Sequence, residues 1–193
     1  MRQKHNKTAI IEEGIQLFRE KGYHNTGVDD ILKTCKIPSG SFYNFFKNKE
    51  GFAVQALDHY NQRYLEYLKQ YLEDDSVSPI QRLKNVFQGN VNMHLEKECS
   101  VGCLLNSLTS EVGVTSPLIG EKIVADFSKN NEALAKTIQA GQDLGEIRKD
   151  FTATELADYL INGFAGATIR MKAGKTETPL NLFMKTAFEF IKA

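Results

Sequence analysis

The sequence predicts an all-α protein of about nine helices, and three observations carry that reading. Strand-like alternation is scarce, while apolar residues recur at three- and four-residue spacing almost throughout. Three of the four prolines follow a hydroxyl residue, as Ser78-Pro79, Ser116-Pro117 and Thr178-Pro179; in that order the hydroxyl caps a helix and the proline, lacking an N–H, begins it. Thr26-x-x-Asp29 and Thr152-x-x-Glu155 have capping-box spacing, and Gly22, Gly145 and Gly174 stand where helices should stop.

Taken in order, these signals place a first helix from about Lys7 to Lys21, a second from about Val28 to Thr34, a third from Pro38 to Phe45 and a long fourth from Lys49 to Leu72. A polar stretch, 73–78, then separates these from helices at about 79–97, 103–112, 117–143, 153–173 and 179–192. Along the fourth helix Tyr60, Tyr64, Tyr67 and Tyr71 lie beside Leu57, Leu65, Leu68 and Leu72. Two adjacent apolar stripes imply burial over a wide arc, so this helix is expected to link a small N-terminal bundle to a larger C-terminal one.

The chain has 193 residues with 41% apolar and 25% charged side chains, which excludes a disordered, collagen-like or rod-like protein. Lys plus Arg equals Asp plus Glu, 24 against 24, so an anionic partner must be met by a local patch and not by overall charge. Residues 1–50 hold nine basic against six acidic side chains and the remainder fifteen against eighteen, which makes the N-terminal quarter the basic end. Three cysteines, the absence of a signal-like apolar core after the basic start at 1–7, and the lack of any long apolar run lead to the expectation of a cytoplasmic protein with no membrane partner.

Residues 26–46 read as a short capped helix, a tight turn and a second short helix, the spacing of a helix-turn-helix. The second of these must enter a major groove ~12 Å wide. Ser39-Gly40-Ser41 leaves its leading end nearly bare of bulk, and Phe42, Phe45 and Phe46 supply a packing face that leaves Tyr43 and Asn44 outward, able to reach phosphates. Lys49, with Lys47 nearby, adds charge at the next helix start, where backbone N–H groups also favour an anion, and Thr26 has the equivalent place at the second helix.

Through Leu17-Phe18-Arg19-Glu20-Lys21-Gly22-Tyr23, and above all through Ile37-Pro38-Ser39-Gly40-Ser41-Phe42-Tyr43-Asn44-Phe45-Phe46-Lys47-Asn48-Lys49-Glu50, the sequence resembles the TetR/AcrR family of bacterial transcriptional regulators. The resemblance implies a DNA-binding domain over residues 1–50, running into the linking helix to about 60, and a helical ligand-binding and dimerisation domain over 51–193. It implies a regulator, usually a repressor released from DNA by a small organic molecule. By motif position Thr26, Tyr43, Asn44 and Lys49 fall to phosphate contacts, and Lys36, Ser39, Gly40 and Ser41 to base edges. The family often has Lys where Ser39 stands and Thr where Ser41 stands; the first departure removes a charge. That loss supports an alternative, a helical ligand- or partner-binding protein whose DNA motif no longer functions.

One such helix gives too little contact for specific binding, so a palindromic double-stranded operator and a homodimer are expected. The last helix carries an unbroken apolar stripe, Leu180, Phe183, Met184, Ala187, Phe188 and Ile191, and the one before it carries Leu156, Tyr159, Leu160, Phe164 and Ala167, with Gly163, Gly166 and Ala167 small enough to let another helix come close. They are read either as intramolecular core or as a dimer interface, and the resemblance favours the interface. A small-molecule effector site should show as polar groups interrupting apolar stripes. Asn130 and Asn131 follow Phe127 in this way, and Asn90 and His94 flank Phe87. With Asn106, Cys103, Tyr60 and Tyr64 they form the candidate ligand set, suited to a neutral or weakly polar molecule.

Cys99 and Cys103, bracketing Ser-Val-Gly at a helix start, give a second alternative, a redox or electrophile-sensing regulator. Neither a metal nor a cofactor is implied: His94, Cys99 and Cys103 lack a fourth ligand at diagnostic spacing. Ala173-Gly174-Lys175-Thr176 resembles the end of a phosphate-binding loop, but Ile169 stands where its first glycine belongs. No enzymatic activity is expected.

Overall fold

The computed structural model describes residues 6–193. Among them lie α1 (Lys7–Lys21), α2 (Val28–Cys35), α3 (Ser39–Phe46), α4 (Lys49–Leu72), α5 (Pro79–Glu96), α6 (Leu104–Glu111), α7 (Pro117–Asp143), α8 (Ala153–Gly174) and α9 (Thr178–Ile191). The pairing outside helices is an isolated antiparallel bridge between Ile147 and Lys192. The all-α expectation holds.

Local chemistry explains most of the boundaries. Ser78 precedes Pro79 at the start of α5, and Ser116 Oγ accepts the Ile119 N–H at 3.2 Å to start α7. At α8 the Thr152–Glu155 capping box closes in both directions. Three signals shift by one residue. The cap of α2 is Gly27, whose N–H donates to Asp30 Oδ2 at 2.8 Å, because the Thr26 side chain is turned inward. The cap of α9 is Glu177, with Thr178 already helical and Pro179 second. Lys175, not Gly174, takes the left-handed position that ends α8.

The chain forms two compact units. The first joins the chain up to Arg63 with Cys103–Asp126. Its core is a ring cluster in which Phe52 of α4 lies 5.7 Å from Phe18 of α1, and 5.5 and 4.8 Å from Phe42 and Phe46 of α3. The short helices α2 and α3 could not bury enough apolar surface alone; α1 and α4 give them a wall. The second unit joins Tyr64–Gly102 with Phe127–Ala193. Phe87 is its centre, with Phe164, Phe183 and Phe188 ring centroids 5.3, 5.3 and 5.9 Å away. The helices α4 and α7 each contribute residues to both units.

Candidate nucleic-acid interface and effector residues

On α3 the hydrophobic spacing separates two faces. Phe42 and Phe46 are buried, Phe45 is half-buried, and Ser39, Gly40, Tyr43 and Asn44 are exposed, with Ser41 half-buried. A Cβ on Gly40 would meet nothing within 4 Å, so the protein's own packing does not demand glycine there; the bare surface is free for another molecule's approach. Lys36 and Lys47 are exposed at the two ends of α3, each with positive φ, 51° and 62°.

Two phosphate candidates sit differently from expectation. Thr26 is fully buried; its hydroxyl donates to the Gly22 carbonyl at 2.7 Å, with the Leu17 carbonyl at 3.4 Å. It braces the α1–α2 turn, which corrects its assignment as a side-chain phosphate contact. Lys49 is half-buried, with its ammonium 4.1 Å from the centroid of the Tyr23 ring. Burial pushes its pKa down, while the charges of Glu111 and Asp30 oppose that shift.

Sequence reading missed the group holding this corner. The Glu111 carboxylate at the end of α6 accepts the His24 N–H at 3.2 Å, and the Glu111 carbonyl accepts His24 Nε2–H at 2.9 Å. Separations of 87 residues leave no local signal.

The ligand candidates divide between the units. In the first, the Tyr60 hydroxyl reaches Cys103 Sγ at 3.8 Å, Arg19 lies 5.9 Å from the Tyr60 ring centroid, and Asn106 is half-buried. Burial pushes the Tyr60 phenol well above its ordinary range. In the second, Asn90 Nδ2 donates to the Tyr64 hydroxyl at 3.3 Å and His94 Nδ1–H donates to the Val101 carbonyl at 3.1 Å. Phe127 is half-buried, and Asn130 is buried with no hydrogen-bond partner for Oδ1. Asn131 is a correction: both Nδ2 hydrogens are used, on Thr154 O at 3.1 Å and Asp158 Oδ1 at 2.6 Å, so it ties α7 to α8. Asn61 of α4, absent from the candidate list, is buried with neither amide atom bonded.

The dimer stripe also needs correction. Leu156, Leu160, Ala167, Leu180, Phe183, Ala187, Phe188 and Ile191 are all buried within the protomer, where they form the α8–α9 core, and Met184 packs against it. The intramolecular reading takes these nine. Gly163, although exposed, is needed inside as well, since a Cβ there would stand 3.0 Å from the Phe183 ring. The opposite faces are open: Tyr159 is 40% exposed and Ile169 56% on α8, Leu182 54% and Phe190 37% on α9. Gly166 belongs to this open face, with nothing within 4 Å of its Cβ position.

Comparison with known proteins agrees with this architecture. The family model for bacterial regulatory proteins of the tetR family matches residues 10–56, and the model for the tetracyclin repressor-like C-terminal domain matches residues 79–187. The chain is 34% identical over 180 residues to the HTH-type transcriptional repressor DhaR of Mycobacterium sp. (strain GP1), covering 93% of this chain and 89% of that one. It is 29% identical over 178 residues to the transcriptional regulator AcuR of Cereibacter sphaeroides, covering 92% and 81%. The crystal structure of a regulatory protein TetR from Rhodobacter sphaeroides superimposes with a TM-score of 0.90 at 28% identity, covering 95% of this chain and 97% of that one. Reduced Escherichia coli NemR, at 23% identity and a TM-score of 0.85 over 96% of both chains, shares the fold. The chain belongs to the TetR family of DNA-binding transcriptional regulators. Among the described residues no helix is long and apolar enough to cross a membrane.

Proposed function

We propose that the protein is a cytoplasmic repressor that binds a palindromic operator as a homodimer and is released by a small organic effector. The observation that carries this is the two-faced α3, with its aromatic side buried and Ser39, Gly40, Tyr43 and Asn44 presented outward. Phosphate contacts fall to Tyr43, Asn44, Lys47 and Lys49, and base edges to Lys36, Ser39, Gly40 and Ser41. Dimerisation uses the open stripe of Tyr159, Gly166 and Ile169 with Leu182 and Phe190. DhaR, a relative over most of its length, is described as a repressor. The effector acts only through a difference in its affinity for the DNA-competent and the released arrangement. Its polar contacts are drawn from Tyr64, Asn90, His94 and Asn130 of the second unit.

The test is binding to the DNA upstream of the protein's own coding region over a salt series, with Tyr43→Ala beside the wild type. Saturable wild-type binding that weakens steeply with salt and is reduced in the variant supports the reading. Equal binding by both proteins would sink the assignment of α3. A second reading, thiol-based sensing, is favoured by Cys103 standing at the α6 N-cap within reach of Tyr60. Loss of effector release in Cys103→Ser, with operator affinity intact, would select it.

A further inference from the structure

The end of α3 is fastened to the start of α4 by more than a two-residue connection requires. Lys47 has φ +62° and ψ −49°, and the Asn48 N–H bonds back to the Phe46 carbonyl at 2.7 Å. Together these make a classic γ-turn, a rare and strained conformation for a residue with a Cβ. Three contacts hold it closed. The Lys47 N–H donates to Tyr43 O at 3.2 Å, Asn48 Oδ1 accepts the Gly51 N–H at 2.7 Å, and Gln55 Nε2 donates to Phe45 O at 3.3 Å.

Gly51 completes the junction. A Cβ there would stand 2.5 Å from the Phe46 carbonyl oxygen, and because that atom is backbone, no side-chain rotation could relieve the overlap. One local rule is broken beside it: Lys47 sits at a positive φ where glycine or asparagine would be at ease. Such a departure marks a position under a constraint other than local stability. Here the constraint is geometric. Phe42 and Phe46 clamp α3 on Phe52, so pushing the Phe46 carbonyl outward pivots the helix about Phe42. At ~1.5 Å per residue Phe46 lies ~6 Å from that pivot and Ser39 ~4.5 Å on its other side, so a displacement of close to ~1 Å at Phe46 moves Ser39 by about three-quarters of that, beyond the few tenths of an ångström that hydrogen bonds to bases tolerate.

We propose that Gly51 is a positioning residue for DNA reading: by letting the strained Lys47 turn close on the first turn of α4, it sets the angle of the α3 reading face and hence the half-site spacing the protein accepts. The spacing readout rests on the dimeric-operator reading above; the angle does not.

The experiment compares the full-length wild type with Gly51→Ala on duplexes selected from random DNA by the wild type, and on the same duplexes with one base pair added or removed between half-sites. The expected result is a loss of about tenfold or more in affinity on the selected duplex, a changed ranking among the spacings, and a melting temperature within a few degrees of wild type. Equal affinity and an unchanged ranking overturn the proposal. If Gly51→Ala does not fold, Asn48→Ala, which removes the cap on the Gly51 N–H without any overlap, decides in its place: a changed ranking supports the proposal and an unchanged one overturns it. If the wild type selects only single half-sites, the dimeric-operator reading fails by itself, and Gly51 is judged on affinity for that half-site, where equality between the two proteins again overturns the proposal.

Discussion

His24 and Glu111 are joined twice, backbone N–H to carboxylate at 3.2 Å and imidazole Nε2–H to carbonyl at 2.9 Å. The pair fastens the C-terminal end of α6 to the loop between α1 and α2. Next to it Tyr23 carries the Lys49 ammonium on its ring, 4.1 Å from the centroid. A carboxylate in this place attracts Lys49 and repels a DNA phosphate. Glu111→Gln keeps an acceptor for the His24 N–H and removes the charge, so non-specific DNA affinity at low salt should rise by a factor of a few, an effect that fades as salt screens it. Fluorescence anisotropy on a random duplex at two salt concentrations checks this; affinity unchanged at low salt would mean that Glu111 acts only as a brace.

Thr26 and Tyr43 should separate cleanly. Thr26→Val removes a buried hydroxyl from the Gly22 carbonyl and should cost about 1–3 kcal/mol of stability, while the folded fraction binds DNA as the wild type does. Tyr43→Phe removes an exposed hydroxyl and should leave stability within about 0.5 kcal/mol while weakening DNA binding. Urea unfolding and DNA titration on the same preparations test both. A Thr26 variant of normal stability and poor affinity would restore Thr26 as a direct contact.

The fold was legible because helix starts are written locally. Ser116, Thr152 and the prolines act within four residues of themselves, and the α7 boundaries follow from Ser116-Pro117 and from Gly145. The reading face of α3 was legible for the same reason: Phe42 and Phe46 against Tyr43 and Asn44 is a single-helix pattern. What escaped depended on partners distant in sequence or on backbone atoms. The apolar stripes of α8 and α9 could equally have met a second protomer, and only the packing around Phe87 shows that they meet each other. Asn131 looked like a ligand donor because Asp158 and Thr154 lie on another helix. Gly51 was silent since its neighbour, the Phe46 carbonyl, is backbone and leaves no trace in residue type.

The correction on α8 and α9 gives opposite expectations for two aspartates. Leu182→Asp places a charge on the open face, where Leu182 is 54% exposed. It should yield a folded protein that sediments as a monomer and binds operator weakly. Leu160→Asp buries the charge in the protomer core, where Leu160 is fully buried, and should not fold. Sedimentation velocity with circular dichroism distinguishes them. A dimeric Leu182→Asp protein would move the interface to another surface.

Asn61 is buried with both amide atoms unbonded, an arrangement that costs stability unless something else satisfies it. Asn61→Leu, similar in volume and without the polar atoms, should raise stability by about 1–3 kcal/mol. Thermal melts with and without an identified effector test this. If that effector stabilises wild type but not the variant, Asn61 makes part of its site; equal stabilisation makes it a purely structural cost.

The capping box at α8 gives a pH dependence whose sign can be worked out. The Thr152 backbone N–H and hydroxyl both donate to Glu155 Oε2, each at 2.8 Å, and these bonds hold the Glu155 pKa below its ordinary value of 4.5. The unfolded chain therefore takes up a proton at Glu155 before the folded protein does. The contribution of the box to stability is fully present above about pH 4.5, where the carboxylate is ionised in both states, and is lost as pH falls through the lower folded-state value. Glu155→Gln should accordingly be less stable than wild type at pH 7, with the gap closing as the pH drops below 4.5. Denaturant unfolding of both proteins at several pH values from neutral down to about 3.5 reads this directly. A gap that does not change with pH would show that the box works through hydrogen-bond geometry alone and not through the carboxylate charge at the N-terminus of α8.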